Sequence, residues 1–382
     1  MILTSVEALI IRIPGYWDAP DRAAAYPARE IEPVAPGEAL ETVLARVTTD
    51  TGLAGWGESQ VFSAPEVAGA IIHSILKPVI EGKAFNGAGL EIEAFWNAMY
   101  NRMRTSGQTG GFMLDAMAAV DIALWDLAGK MHRAPIAALI AGPRAKKEME
   151  VYLNSSGAAS SQNLECARAY RAAGCRKFKI FHRGCRRELL EEYDALAGIC
   201  GPENIAVDAL WRLDPGKAAG FGAELDRRGA LWLECPFAPE DPAPHAALAA
   251  QMRTPIALGE TYRTHFEVAP FFRMGAMRIV QPALGRCGIT EALRIARAAE
   301  RAGALIVPHL TPALGPLLYA TLQFAAAVAN CLLVPYSPAL VETADKYCVE
   351  PVAFRKGRYA APLAPGLGMS LVEPEVRLVA VA

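Results

Sequence analysis

The stretch IAVDA, at residues 205–209, is a short apolar run with one acid near its end. The chain repeats this arrangement in LWLEC at 231–235 and again in IALGE at 256–260. Helix-forming segments separate the three runs, and short buried strands that alternate with amphipathic helices are typical of a parallel sheet covered on both faces. The three runs therefore predict successive βα units.

The same alternation extends on both sides of these runs, from about residue 150 to residue 336. Eight candidate strands recur at intervals of roughly 25 residues. In the α/β class this pattern indicates a TIM-like (β/α)8 barrel. The remaining candidate strands are VYLNSS (151–156), KFKIF (177–181), RIVQPA (278–283), LIVPH (305–309) and LLVPY (332–336).

Residues 1–130 have a different organisation, which mixes strands with long helices and predicts an α+β unit. We expect the barrel domain to span 131–350 and the tail at 351–382 to pack back on the N-terminal unit. The predicted elements of that unit are strands at 3–13 and 41–49 and helices near 64–80, 88–103 and 111–131.

The composition of the 382-residue chain excludes several classes of function. A net charge of -2 offers no basic stripe for phosphates, so we expect no nucleic acid partner. An uninterrupted apolar run of about 18 residues is absent from the sequence, so we expect no membrane span. The eight cysteines form no CxxC pair, which favours reduced thiols of a cytoplasmic protein over a disulfide framework or a zinc site. A small-molecule substrate fits this composition best.

The acids of the three opening runs are Asp208, Glu234 and Glu260, and successive acids are 26 residues apart. The C-terminal ends of barrel strands meet at one rim, so we expect the three carboxylates to converge. One such acid alone would as readily cap a helix or form a surface ion pair. Three together need a counter-charge, and a hard cation with oxygen ligands, Mg²⁺, supplies it.

His309 ends the candidate strand LIVPH on the same rim. A lone histidine on an apolar strand is more often a hydrogen-bonded core residue. Its place beside the predicted metal site favours a general acid or base.

Several further segments occur in a characteristic order. They are GWGES, AMAAVDIALWDLAGKMHRAPIAALIAG (116–142), GRCGIT (285–290), VPH (307–309) and PGLGMSL, with the three acids between the second and third. Together they resemble the enolase superfamily, and within it the mandelate racemase-like group. The resemblance implies an N-terminal α+β capping domain over a modified TIM barrel. It also implies Mg²⁺ on the three acids, abstraction of the proton α to a substrate carboxylate, and specificity set by capping-domain loops such as 14–30.

The second barrel strand departs from the family pattern. Counting from Gly174 places the family's first lysine at Lys179 and its usual base at Phe181. A different register would make Lys177 and Lys179 the pair. We favour the first register because it keeps the glycine in place. Lys179 would then bind the substrate carboxylate beside the metal, and Lys177 is retained as a further candidate substrate contact.

Two more departures lie on later strands. The aspartate that usually orients the histidine is replaced by Ala283, and Pro335 stands where many relatives carry a glutamate. Without the aspartate, we expect His309 to be a weaker base unless another group replaces it, and without the glutamate a proton donor or electrophile is missing. Phe181 at the usual base position places the remaining acid/base chemistry on His309.

We therefore expect a Mg²⁺-dependent carbon–oxygen lyase that eliminates water from an acid sugar or a related hydroxycarboxylate. His309 would serve as base and then as acid. Arg102 and Arg104 would add substrate contacts from the capping domain, or simply form a solvated helix end.

Two alternatives remain open. A racemase or epimerase needs two bases on opposite faces of the α-carbon, with Lys179 or Lys177 opposing His309. A relative that binds the metal but does not catalyse a reaction would also explain why the expected acid/base and orienting groups are missing while the metal acids are kept. In every case we expect a homo-oligomer.

Overall fold

The computed structural model describes residues 1–18, 39–154 and 160–381. Part of the predicted specificity loop at 14–30 and the end of the predicted strand at 151–156 lie outside these residues. Within them, the N-terminal unit begins with an antiparallel sheet in which β2 pairs with both of its neighbours. Its strands are β1 Leu3–Ile13, β2 Leu40–Thr49 and β3 Ala54–Ser59.

Helices cover one face of this sheet, and the longest of them is buried along most of its length. Strand β3 lies very close to that helix. A Cβ atom on Gly57 would lie 1.9 Å from the Ala119 carbonyl oxygen, so only glycine fits at this position. The helices are α1 Pro65–Ile71, a π-helical turn Ile72–Leu76, α2 Lys77–Ile80, α3 Gly89–Arg102, α4 Gly111–Met131 and α5 Ile136–Ala141.

The second unit is a barrel of parallel strands, each paired with the next in chain order. The last strand pairs with the first, and a bridge between Ile306 and Cys331 completes the ring. The strands are β4 Glu148–Asn154, β5 Lys177–Phe181, β6 Ile205–Asp208, β7 Leu233–Glu234, β8 Ile256–Leu258, β9 Ile279–Val280, β10 Leu305–Ile306 and β11 Val334–Tyr336.

Strands β9 and β10 are shorter than the sequence predicted. Pro282 and Pro308 follow them and have no N–H to donate to a neighbouring strand, which interrupts the ladder. Beyond the prolines the chains still run side by side, with a bridge between Ala283 and His309.

Helices follow the barrel strands and run back along the outside. They are α6 Ser160–Ala172, α7 Arg186–Cys200, α8 Ala218–Arg228, α9 Pro242–Ala249, α10 His265–Arg273, α11 Leu284–Arg301, α12 Pro316–Ala327 and α13 Pro338–Tyr347. Short 3₁₀ turns lie at Tyr16–Asp18, Arg104–Ser106, Gly142–Arg144 and Pro202–Asn204.

The C-terminal tail contacts both units. A hairpin of β12 Phe354–Arg355 and β13 Arg358–Ala360 adds an antiparallel edge to β4. After α14 Glu373–Val379, strand β14 Ala380–Val381 pairs with β1 in the N-terminal sheet.

The N-terminal unit lies over the C-terminal ends of the barrel strands. At this junction the backbone N–H of Gln60 donates a hydrogen bond to the Gly285 carbonyl at 2.8 Å. The backbone N–H of Thr290 donates one to the Asp121 carboxylate at 2.9 Å. The chain thus forms a capping domain over a barrel. None of the helices in the described ranges is both long and apolar enough to cross a membrane.

Candidate active site

The three predicted acids lie on neighbouring strands at the covered end of the barrel. Asp208 and Glu234 are the last residues of β6 and β7 and lie directly opposite each other in register. Glu260 follows β8 by two residues, after Gly259 with a φ of 133°. The predicted convergence of the acids follows from this arrangement of parallel strands.

Lys179 lies between two of these acids. Its Nζ is 3.2 Å from Asp208 Oδ2 and 2.5 Å from Glu234 Oε1, and the residue is only 2% exposed. Burial alone would lower the pKa of Lys179, but the charges of Glu234 and Asp208 outweigh it and raise that pKa well above its usual range. Between these two acids the side chain is therefore an ammonium.

The backbone after these acids is strained. Leu210, Trp211 and Cys235 have φ values of 51°, 57° and 44°, a region that non-glycine residues rarely adopt. The Leu210 amide donates to Asp208 Oδ1 at 2.9 Å, and Trp232 Nε1 donates to Glu234 Oε2 at 2.9 Å. Local strain of this kind is tolerated where it orients functional side chains.

His309 faces the third acid, with Nε2 3.2 Å from Glu260 Oε2. Its other ring nitrogen, Nδ1, is buried and has no hydrogen-bond partner among the described residues. Burial lowers the pKa of His309, although the charge of Glu260 opposes this effect. The imidazole is therefore neutral near pH 7, as a general base must be.

The donor chemistry of the three acids fits a hard divalent cation. Burial and the charge of Glu234 raise the pKa of Asp208, which shows how strongly this end of the barrel needs positive charge. As the side chains stand, no group of three or more His, Cys, Asp or Glu residues in the described ranges is arranged to coordinate a metal. Lys179 instead forms ion pairs with Asp208 and Glu234, and His309 contacts Glu260. A cation bound by the three carboxylates would have to displace these contacts.

The structure separates the two lysines of KFKIF. Lys177 Nζ is 2.5 Å from Glu150 Oε1 near the start of β5, whereas Lys179 reaches the acids. This placement argues against the substrate contact predicted for Lys177, because its ammonium lies toward the opposite end of the barrel. Phe181 pairs with Asp208 in register, and its ring lies 5.2 Å from Lys179 Nζ. The position of the usual base is therefore apolar.

Arg102 and Arg104 are exposed near the end of α3. Arg104 lines a surface groove of about 450 Å³ together with Arg297 and Arg301 on the outer helix α11. The structure does not bring either arginine to the three acids, which argues against their predicted role as substrate contacts.

Sequence reasoning missed a buried acid that connects the capping domain to the loop after His309. Both carboxylate oxygens of Glu58 accept backbone hydrogen bonds, from Leu314 at 2.7 Å, Gly315 at 3.2 Å and Leu317 at 3.1 Å. Glu58 lies in GWGES, and an acid at the end of an otherwise buried strand was the signal for it. Two buried polar atoms near the barrel mouth, Asn154 Oδ1 and Thr311 Oγ1, have no hydrogen-bond partner within the described ranges, and the sequence gave no signal for them.

Comparison with known proteins places this geometry in a family. The model of the mandelate racemase / muconate lactonizing enzyme N-terminal domain matches residues 34–141, and the enolase C-terminal domain-like model matches residues 163–375. The chain is 28% identical to arabinonate dehydratase of Saccharolobus solfataricus, over 87% of this chain and 88% of that protein. It is 29% identical to D-galactarolactone cycloisomerase of Agrobacterium fabrum, over 86% and 88% of the two chains.

A solved structure shares the whole architecture. A member of the enolase superfamily from Agrobacterium tumefaciens superposes with a TM-score of 0.89 and 28% identity, over 100% of this chain and 99% of the other. Taken with the domain matches, this likeness extends through both the capping domain and the barrel. The chain belongs to the mandelate racemase / muconate lactonizing enzyme family of the enolase superfamily.

Proposed function

We propose that the protein is a Mg²⁺-dependent dehydratase that removes the proton α to a carboxylate and eliminates water from an acid sugar. The observation that carries this proposal is the one-sided chemistry of the site: neutral His309 faces the acids, and Phe181 stands where a second base would be. Relatives that include an arabinonate dehydratase support the reaction class.

Asp208, Glu234 and Glu260 would hold the metal, which would supply positive charge to the substrate carboxylate as the α-carbon loses its proton. The binding of the substrate carboxylate and the proton transfers would depend on the side chains. Lys179, as an ammonium, would contribute a second positive charge and could donate a hydrogen bond to a carboxylate oxygen. The Phe181 ring, with its centroid 5.2 Å from Lys179 Nζ, makes that side of the ammonium apolar.

His309 performs both proton transfers. Its neutral imidazole accepts the α-proton as the Cα–H bond breaks. The imidazolium then donates this proton to the β-hydroxyl, so the C–O bond breaks and water leaves. The enol product converts to a keto acid. One residue suffices when both groups depart from the same face of the substrate.

Racemisation is less well supported by the same geometry. It needs a second base opposite His309, and Phe181 stands at the position where the family pattern places one. A relative without catalysis would retain the acids but have no use for the neutral histidine that faces them.

The test is a screen of aldonic acids, aldaric acids and their lactones with Mg²⁺, in which keto acid formation and solvent deuterium incorporation are followed together. A dehydratase forms keto acid and leaves no exchanged substrate of the opposite configuration. Lactones belong in the screen because one relative is a cycloisomerase. His309→Asn should abolish turnover while Mg²⁺ still binds, and His73→Asn on the exposed cap surface is the control.

Exchange of deuterium into two epimers without loss of substrate would replace the proposal with epimerisation. Tight Mg²⁺ binding with no turnover of any compound would favour the non-catalytic alternative.

A further inference from the structure

A surface groove of about 450 Å³ lies where helix α3 of the cap meets helices α10 and α11 of the barrel, and we call it the junction groove. Cavities of this volume are typical of small-molecule sites. Four arginines line it, whereas no Asp or Glu of the described residues does. They are Arg104 from the cap and Arg294, Arg297 and Arg301 from α11. The groove is therefore strongly basic in a chain whose net charge is -2.

One of these arginines is neutralised by neighbouring acids. Arg294 Nη1 lies 3.0 Å from Glu291 Oε2, and Arg294 Nη2 lies 2.8 Å from Glu93 Oε1. The His265 ring, which also lines the groove, pairs with Glu291 as well. The other three arginines form no ion pair with a carboxylate in the described part of the chain.

The three unpaired arginines come from both units. Arg297 and Arg301 are four residues apart on α11, so their side chains lie on one face of that helix. Arg104 reaches the groove from the turn after α3, and its guanidinium carbon lies 5.9 Å from the centre of the Tyr100 ring. All three arginines are exposed. Like charges gathered in one groove repel one another, and an anion bound among them would remove this repulsion.

Aromatic rings line the same groove. Trp96 is buried, and the Tyr100 ring stacks on it with 5.0 Å between centroids and 16° between planes. The Phe266 ring lies 6.4 Å from the Tyr100 ring, and Phe266 is 56% exposed. The row of rings therefore runs from the core to an exposed aromatic surface beside the arginines. A flat ring of a ligand can stack on such a surface.

A second basic groove differs from the junction groove in its rings, and we call it the hairpin groove. It has a volume of about 900 Å³ and lies at the hairpin of β12 and β13. No aromatic residue of the described ranges lines it, and its cations are Arg171, Arg176, Lys356 and Arg358. Such a groove attracts polyanions in general but offers no ring for stacking. Of the two, only the junction groove combines unpaired guanidinium groups with an exposed ring.

This combination suits a ligand with two chemically different parts. Guanidinium groups bind phosphate oxygens through paired hydrogen bonds. An exposed phenylalanine binds a flat heteroaromatic ring by stacking. A nucleoside polyphosphate carries both parts in one small molecule, whereas an acid sugar has no flat ring and an inorganic polyphosphate has no ring at all.

We propose that the junction groove binds a nucleoside polyphosphate. The base stacks on the Phe266 ring. The phosphates accept hydrogen bonds from the guanidinium groups of Arg104, Arg297 and Arg301. Because Arg104 belongs to the cap and α11 to the barrel, the ligand contacts both units and stabilises their junction. This inference is independent of the proposed function, since it needs neither the three acids nor turnover.

Calorimetry on the full chain tests the inference with three probes, which are ATP, tripolyphosphate and adenosine. Mg²⁺ is left out because it would neutralise part of the phosphate charge. We expect ATP to bind about tenfold or more tightly than tripolyphosphate, since stacking of the base adds to the charge contacts. Adenosine lacks the phosphates and should bind more weakly than ATP.

Variants of the groove separate the two kinds of contact. Phe266→Ala should weaken ATP binding about tenfold or more and leave tripolyphosphate binding within about twofold of the parent value. Phe266→Tyr keeps the ring and should bind ATP as the parent protein does. Arg297→Gln combined with Arg301→Gln should weaken the binding of both anions about tenfold or more.

The matched control lies in the hairpin groove, where Arg176→Gln combined with Arg358→Gln should change neither affinity. All the changed side chains are exposed, and circular dichroism checks that each variant is folded. The inference would be overturned if ATP did not bind, or if tripolyphosphate bound as tightly as ATP. It would equally be overturned if Phe266→Ala or the variant of the two α11 arginines left ATP affinity unchanged, or if the hairpin variant lowered it instead.

Discussion

Ala283 and His309 lie side by side beyond the ends of β9 and β10, joined by a parallel bridge. The methyl group of Ala283 offers no acceptor, and His309 Nδ1 is buried without a partner among the described residues. A carboxylate can only accept, so the neutral imidazole carries its proton on Nε2 while that atom faces Glu260 Oε2 at 3.2 Å, and no acceptor at Nδ1 favours the other tautomer.

Ala283→Asp should therefore raise kcat, since a carboxylate beside Nδ1 would hold the proton there and leave Nε2 free to accept one. We expect an increase of about tenfold with little change in KM, the lower end of the effect of such orienting partners. Ala283→Asn, with the same size and no charge, is the control. An equal loss of kcat in both variants would show that the site has no room for a longer side chain.

Lys179→Met should abolish turnover and destabilise the protein. It leaves Asp208 and Glu234 buried without a counter-charge, which costs about 3–5 kcal/mol. Because a divalent cation would replace that charge, Mg²⁺ should recover much of the lost stability. Urea unfolding with and without Mg²⁺ measures both effects.

The matched control for this variant lies two residues earlier on the same strand. Lys177→Met removes a partly exposed ion pair with Glu150 and should cost about 0–1 kcal/mol with turnover unchanged. Loss of activity in Lys177→Met would restore the alternative register, in which both lysines act.

Glu58→Gln should weaken the junction between cap and barrel. One amide oxygen cannot replace a carboxylate that accepts hydrogen bonds from three backbone amides, so we expect a loss of about 2 kcal/mol in the free energy of unfolding. The loop held by Glu58 follows His309, so kcat should fall as well. Exposed Glu66→Gln is the control, and unchanged kcat with lowered stability would limit Glu58 to a structural role.

Asp226 should give the protein part of its resistance to acid. Burial opposes its ionisation, but hydrogen bonds from the Arg253 and Thr254 amides outweigh it and lower the pKa of Asp226 below 3.8. The unfolded chain therefore binds this proton more readily than the folded one. The stabilisation is present above pH 3.8 and is lost as the pH falls through the folded pKa.

Asp226→Asn should accordingly lower stability by about 2 kcal/mol at pH 7 and by progressively less as the pH falls below 3.8 through the folded pKa of Asp226. Urea midpoints across this range measure the difference between the two proteins. Asp214→Asn, at an exposed site, should leave the pH dependence as it is. A constant difference between Asp226→Asn and the parent protein at every pH would contradict the assignment.

The structure agrees with much of what local patterns predicted. Strand β1 and helix α4 have the bounds 3–13 and 111–131 expected from their apolar periodicity. Boundaries failed where prolines follow a short apolar run, at β9 and β10, because such a run looks like a longer strand when only its composition is considered.

The amino-acid sequence by itself determined the barrel and the placement of its three acids at the ends of neighbouring strands. A repeat of one βα unit places each successive strand end on the same rim, so the 26-residue spacing of Asp208, Glu234 and Glu260 was sufficient. Only the tertiary structure decided which lysine reaches those acids and which backbone amides donate hydrogen bonds to Glu58. These contacts join residues far apart in the chain, such as Glu58 and Leu314 at a separation of 256 residues. Their partners depend on how the capping domain packs on the barrel, and no local periodicity encodes that packing.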